Sequence, residues 1–153
     1  MSGFVAGGTI VSGQVVSDPF WPAIDLDQVR ARLRIDSSVS TEKLKAAVIA
    51  AAIGVNRELA GYRFAQSTSG YATLATVPGL LVDGISERAH LYLRAIDAAT
   101  AAEVAERYRS YDSTAKGDKD AEALTPTIDE YRRDQRWAIR DFLGLARTTV
   151  ELI

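Results

Sequence analysis

Three stretches of this chain place an apolar or small residue at every third or fourth position, and no other pattern in it runs so far. Leu44, Val48, Ala51, Val55, Leu59 and Tyr62 form the first series. Ile85, Ala89, Tyr92, Ile96, Val104 and Tyr108, with Thr100 in step, form the second, and Ile128, Tyr131, Gln135, Ala138, Ile139 and Phe142 the third. That spacing puts each series on one face of a helix, because 3.6 residues complete a turn. The spacing predicts helices over residues 41–63, 85–110 and 127–144. No strand-like run separates them, so the expected fold class is all-α: a small bundle of about four helices with extended arms at both ends. At 153 residues the chain has room for one domain with a real core.

The helix ends carry their own signals. Asp25 with Gln28 three residues later is a capping-box variant that starts a short helix through Leu26, Val29 and Leu33. Ser40 is a good N-cap for the next helix. Thr127 with Glu130 is a full capping box behind Pro126, and Gly144 stops the last helix. Residues 66–84, with Pro78 and scattered Tyr71, Leu74 and Val77, read as a packed loop, and residues 112–122 around Gly117 as an exposed one. Residues 1–17 carry no charge and several glycines, and residues 147–153 are rich in β-formers. The chain is therefore divided into an extended N-terminal arm (1–24), a helical domain (25–144) and an extended C-terminal arm (145–153), with 9–16 able to pair as a strand where an edge is supplied.

Composition then removes whole classes of chemistry. The chain has no cysteine and one histidine, His90, which rules out disulfides, thiolate metal sites and cysteine nucleophiles and leaves histidine triads without partners. His90 lies beside an apolar helix face and is expected to be a hydrogen-bonded structural residue. No metal site and no cofactor is expected. With 18 basic and 20 acidic side chains the net charge is -2, which supplies no bulk attraction to nucleic acid or anionic lipid. The uncharged run 46–56 is far short of the ~20 residues that span a bilayer, and no basic residue precedes Arg30, so neither a membrane span nor a secretory leader is expected. Carboxylate pairs such as Glu103 with Glu106 and Glu130 with Asp134 have the spacing of a solvated helix face, and none is marked out as an acid and base. Residues 115–119 lack the spacing of a phosphate loop.

The third helix is the most informative. Wound at 100° per residue, it collects Arg132, Arg133, Arg136 and Arg140 on one flank and Glu130, Asp134 and Asp141 on the other. Trp137 falls between the flanks, opposite Ile128, where a monomer ordinarily places a polar residue. An outward tryptophan implies a contact surface.

The run Tyr108-Arg109-Ser110-Tyr111-Asp112-Ser113-Thr114-Ala115-Lys116-Gly117-Asp118-Lys119, followed by Thr127-Ile128-Asp129-Glu130-Tyr131-Arg132-Arg133-Asp134-Gln135-Arg136-Trp137-Ala138, closely resembles the head completion (head stabilisation) proteins of contractile-tailed phages. Phe20-Trp21-Pro22-Ala23-Ile24-Asp25, Val29-Arg30, Leu33-Arg34, Val77-Pro78 and Asp83-Gly84 fit the same family in the same order, so the match runs over most of the chain from Phe20 onward. The resemblance implies a structural, non-enzymatic adaptor of the head–tail neck, a virion component assembled in the host cytoplasm. Its implied partners are the portal protein beneath which it binds after packaging, its own copies in a ring matched to the twelve-fold portal, a tail or neck terminator protein, and DNA that passes through the lumen without sequence specificity.

A ring needs one patch of each copy to meet a different patch of the next. Trp137 with Arg132, Arg133, Arg136, Arg140, Glu130, Asp134 and Asp141 is the expected subunit interface. Thr148, Thr149, Val150, Leu152 and Ile153 are expected to add to the portal or a neighbour, and Lys116, Gly117 and Lys119 to face a partner or DNA. The rival reading is a DNA-binding accessory module acting at the packaged end through Arg30, Arg32, Arg34 and the 132–140 flank, although Asp25, Asp27, Asp36 and Asp129 are interleaved with these.

Overall fold

The computed structural model describes residues 13–108 and 126–147. In chain order it contains β1 (Gln14–Val15), β2 (Ile24–Asp25), α1 (Leu26–Leu33), α2 (Thr41–Glu58), α3 (Ala60–Thr68), a 3-10 turn (Leu74–Thr76), β3 (Leu81–Val82), β4 (Ile85–Ser86), α4 (Glu87–Tyr108) and α5 (Ile128–Leu143). The fold is predominantly helical, as the three apolar series require. Each cap read from the sequence is made. The Asp25 carboxylate accepts from the Gln28 N–H at 2.9 Å, and the Ser40 hydroxyl from the Lys43 N–H at 3.3 Å. At α5 the Thr127 hydroxyl accepts from the Glu130 N–H while the Glu130 carboxylate accepts from the Thr127 N–H, and Gly144 closes the helix at φ 70°.

The expected helix over 41–63 is two helices. Leu59, at φ -94° and ψ 5°, steps out of helical geometry between α2 and α3, and α3 continues to Thr68. The Leu59 side chain stays fully buried and its N–H still reaches the Val55 carbonyl at 3.0 Å, so the apolar spacing passes through the bend unchanged. This is why periodicity alone does not reveal it.

Helix α4 is the centre of the bundle. It runs antiparallel to α2: Lys43 lies over the Tyr108 ring at one end, and Asn56 accepts from the Tyr92 hydroxyl at 2.8 Å near the other. It also runs antiparallel to α5, with Arg132 against Glu103 and Glu106 and with Asp141 near Arg94. Ala95, Ala98, Ala99, Ala101 and Ala102 are buried along α4, so both neighbours rest on a surface of little bulk. Helix α1 is fastened to it by a forked pair in which Arg32 donates to Asp97 at 2.6 and 2.9 Å.

The second half of the expected N-terminal arm belongs to the folded body. Residue pairs Gln14 with Asp25 and Val15 with Ile24 form an antiparallel ladder within the chain, so the edge that the strand needed is the chain's own. Between these strands Asp18 accepts from the Phe20 N–H at 2.9 Å and from Arg63 at 2.6 Å, turning Phe20 and Trp21 inward. Phe20, Trp21 and Ile24 are all buried. Trp21 stacks on Tyr92 and leans on Phe142, while Tyr62 meets both Phe20 and Phe142, so the N-terminal segment, α3, α4 and α5 share one aromatic cluster. Removing each such side chain from water is worth about 1.5 to 3 kcal/mol, which outweighs the uncharged, glycine-containing start of the chain that made the segment read as an arm.

The expected loop at 66–84 is more ordered than its composition implies. Leu74 is buried in the 3-10 turn, and its N–H reaches the Phe20 carbonyl at 2.8 Å. Beyond it β3 and β4 form a tight hairpin in which Val82 faces Ile85 and Leu81 faces Ser86. Ile85 therefore belongs to a strand, and α4 starts at Glu87. No described helix is long and apolar enough to cross a membrane.

Candidate functional site

Helix α5 buries Ala138, Ile139 and Phe142 and keeps Ile128, Tyr131 and Gln135 half-buried, which leaves the expected charged flanks and Trp137 on the outer side. The structure distributes those charges differently from two opposed patches. Arg132 turns back to α4 and donates to Glu103 and Glu106 at 3.0 to 3.2 Å and to Gln135 at 3.1 Å, so it joins two helices of one chain. Arg133 donates to Asp134 at 3.0 and 3.2 Å, pairing across the supposed divide. Arg140 donates to the Ala146 carbonyl at 2.6 Å, and Asp141 receives both Arg147 Nε and Nη2 at 3.1 and 2.6 Å. The Arg147 guanidinium holds the Asp141 carboxyl below the usual carboxylate range, and the Thr127 N–H does the same for Glu130. Arg136 is exposed, whereas the other three are half-buried.

Trp137 is half-buried rather than bare. The guanidiniums of Arg133 and Arg147 lie over its ring, 4.6 and 5.0 Å from the centroid, so the indole is flanked by two cations, each held by an aspartate. Arg147 enters from just past Gly144, where helical periodicity no longer predicts direction. The outer face of α5 is thus an aromatic residue in a basic rim: Trp137, Arg133, Arg136, Arg140 and Arg147, with Asp134 and Asp141 set among them. A shallow cleft beside it is lined by Glu58, Arg136, Ile139, Arg140, Leu143 and Leu145. Lys116, Gly117 and Lys119, the loop expected at 112–122, the first twelve residues, and Thr148, Thr149, Val150, Leu152 and Ile153 lie outside the described residues.

His90 has the structural role expected of it: Nε2, facing the Val82 carbonyl at 2.8 Å, donates to it and ties α4 to the hairpin. Among the described residues no group of three or more histidines, cysteines or carboxylates comes together as a metal site. Arg30 donates to the Ile35 and Asp36 carbonyls and Arg32 to Asp97, so two of the arginines that a DNA-binding reading would use are spent inside the chain.

Two apolar surfaces were not read from the sequence. The hairpin exposes Leu80, Leu81, Val82 and Ile85, and a groove between β1 and α2 exposes Val16, Ile49 and Ile53. Asp83-Gly84 between apolar pairs is a strong hairpin signal that would have located the first. The second needs the β1 placement, which no local pattern provides.

Compared with known proteins, residues 15–153 match the family model described as phage head completion protein (GPL). The chain is 38% identical over 153 residues to the head completion/stabilization protein of Escherichia phage P2, covering 95% of this chain and 90% of that protein. No solved structure matches it. With nearly its whole length matched at that identity, and with the caps and aromatic cluster falling inside the matched segment, the chain belongs to the phage head completion protein (GPL) family.

Proposed function

We propose that this chain completes and stabilises the phage head: it binds beneath the portal once DNA is packaged, as a ring of its own copies, and presents the platform to which the tail or a neck terminator protein joins. The observation that carries this reading is the near full-length likeness to the phage P2 protein, whose name states head completion and stabilisation. A structural role also accords with Asp25 and Glu130 serving as caps and with Arg32 and Arg132 pairing one helix with another. In this reading the protein resides in the virion neck after assembly in the host cytoplasm, and DNA passes through the ring without sequence specificity. The outer face of α5 contributes to the contact between copies, with Trp137 as its apolar anchor and Arg136 as an exposed charge on it. The C-terminal residues Thr148, Thr149, Val150, Leu152 and Ile153 reach the portal or a neighbouring copy, and Lys116, Gly117 and Lys119 face a partner or the DNA.

The test uses filled heads made without the chain. They are expected to leak DNA to added nuclease and to refuse tails, and purified chain should restore both. Imaging purified portals with and without the chain should show an added ring of density. Heads that hold DNA and accept tails equally well in its absence overturn the reading.

A further inference from the structure

The hairpin and the β1–α2 groove are unlike apolar surfaces of the same chain and share no residue. Leu80, Leu81, Val82 and Ile85 are 74, 68, 56 and 48% exposed, in a hairpin that is stiff for its size. Asp83 and Gly84 at its apex have φ of 52° and 72°, the two left-handed positions of a tight hairpin turn. At its base the Leu80 carbonyl accepts from the Glu87 N–H at 2.9 Å, and the Val82 carbonyl accepts from His90. Such a projection surrenders little conformational freedom when it docks.

The groove encloses about 320 Å³, room for a pair of aliphatic side chains. Val15 and Ala52 form its buried floor, and Val16, Ile49 and Ile53 stand at its rim. Asn56 lines it as well, held by Ser17 and Tyr92. Lys45 also lines the groove, and neither Lys45 nor the hairpin's Asp83 has an ion-pair partner among the described residues. The two surfaces are complementary in shape, one convex and one concave, and carry opposite charges beside them, Asp83 at the hairpin and Lys45 at the groove.

Building on the ring reading above, we infer that the hairpin of one copy seats in the β1–α2 groove of the next, with Val82 and Ile85 against Val16, Ile49 and Ile53 and with Asp83 directed to Lys45. A knob and a socket on one chain make a heterologous contact, the kind that propagates into a ring when the rotation closes. The apolar part supplies the affinity, and the single charge pair selects the orientation. This contact acts between the same neighbours as the α5 face and is separable from it.

The chain's lack of cysteine makes a disulfide test clean. Val82→Cys and Ile53→Cys are placed in one chain or in two, and purified protein and virions are treated with a mild oxidant. The double variant should give a ladder of dimers, trimers and higher species. An equal mixture of the two single variants should stop at dimers, and each single variant alone should give at least about tenfold less. Asp83→Lys should lower the mixed-dimer yield several-fold, and Lys45→Asp on the other copy should restore it. Far-UV spectra matching the parent exclude misfolding.

The absence of a ladder in both preparations overturns the proposal. So does cross-linking of Val82→Cys to the portal alone. A disulfide formed within one chain between Ile53→Cys and Val5→Cys also overturns it, because the groove then holds the chain's own first residues. Virions that carry the chain and keep their DNA yet give no ladder remove this contact and leave the head completion role intact. A ladder from purified chain, together with virions that lack the chain yet keep their DNA and accept tails, supports the contact and removes the role.

Discussion

The indole of Trp21 lies flat on the ring of Tyr92, centroids 4.7 Å apart and planes 4° from parallel, so a residue ahead of the first helix is held against the centre of the bundle. Trp21→Ala leaves a void among Phe20, Tyr92 and Phe142 and is expected to cost about 3 to 5 kcal/mol in urea denaturation. Trp21→Phe should cost clearly less, because the Trp21 Nε1–H is buried without an acceptor among the described residues and the substitution removes that donor with it. Equal losses for the two variants would show that the stack itself contributes little.

Tyr92 also sets an alkaline limit. Burial pushes its hydroxyl up to about 12, against an ordinary value of 10.0. Between these values the unfolded chain releases the proton and the folded chain keeps it, so stability is complete below pH 10 and falls as pH rises through about 12. Tyr92 accounts for about 2 to 3 kcal/mol of that fall. Tyr92→Phe should flatten the slope above pH 10 while costing about 1 to 3 kcal/mol at pH 7, where Asn56 loses its donor. A slope unchanged in the variant assigns the alkaline loss elsewhere.

At acid pH the sign reverses. Hydrogen bonds from Arg63, then from the Phe20 N–H, hold the Asp18 carboxyl below its ordinary 3.8. Its contribution is present above that value and is lost as pH falls through the depressed one. Asp141, Asp36 and Glu130 are shifted in the same direction, so Asp18→Asn should remove part of the acid slope and leave the rest. Thermal melting from pH 6 down to pH 2 measures it.

The ends of α5 offer a test free of packing effects. A Cβ at Gly144 would meet nothing within 4 Å, so Gly144→Ala costs only the strain of φ 70°, about 1 kcal/mol. Thr127→Ala removes the hydroxyl half of the capping box, leaving the bond from the residue-127 N–H to Glu130, and should cost about 0.5 to 2 kcal/mol. The two sites lie at opposite ends of the helix, so the double variant should be additive in denaturant titrations.

What was legible in the sequence was what is local. Asp25, Ser40, Thr127 and Gly144 act within a few residues of themselves, and the apolar series name the helices because burial repeats with the turn. The bend at Leu59 was hidden because its side chain keeps the register. Phe20 and Trp21 were misplaced in an arm because their partners, Tyr62, Tyr92 and Phe142, lie 40 or more positions away. At the candidate site, Trp137 and its neighbours were found from helical winding. The pairing of Arg132 with Glu103 and Glu106 and the approach of Arg147 depend on how α5 rests on α4 and on the turn past Gly144, which no single-helix projection contains.

Trp137→Ala tests the α5 face. The indole is half-buried beneath two arginines, whose ion pairs are exposed and worth about 0 to 1 kcal/mol each, whereas an aromatic anchor buried at an interface is worth roughly 2 kcal/mol or more. The variant should therefore weaken ring assembly on portals more than Arg136→Ala does, with helix content unchanged by circular dichroism. Assembly that is unaffected by Trp137→Ala but lost in Arg136→Ala makes the contact electrostatic.

The seating of residues 13–25 also gives the molecule a mechanical character. A pull on the chain ahead of Gly13 is first borne by the 2.8 Å bond from the Leu26 N–H to the Gly13 carbonyl and by the short β1–β2 ladder. Beyond them stand the Arg63 bond to Asp18 and then Trp21, wedged behind α4. Tension entering at Gly13 is thus handed in sequence to a ladder at the start of α1, an ion pair to α3 and an aromatic plug against α4, which makes the segment a graded latch on the bundle.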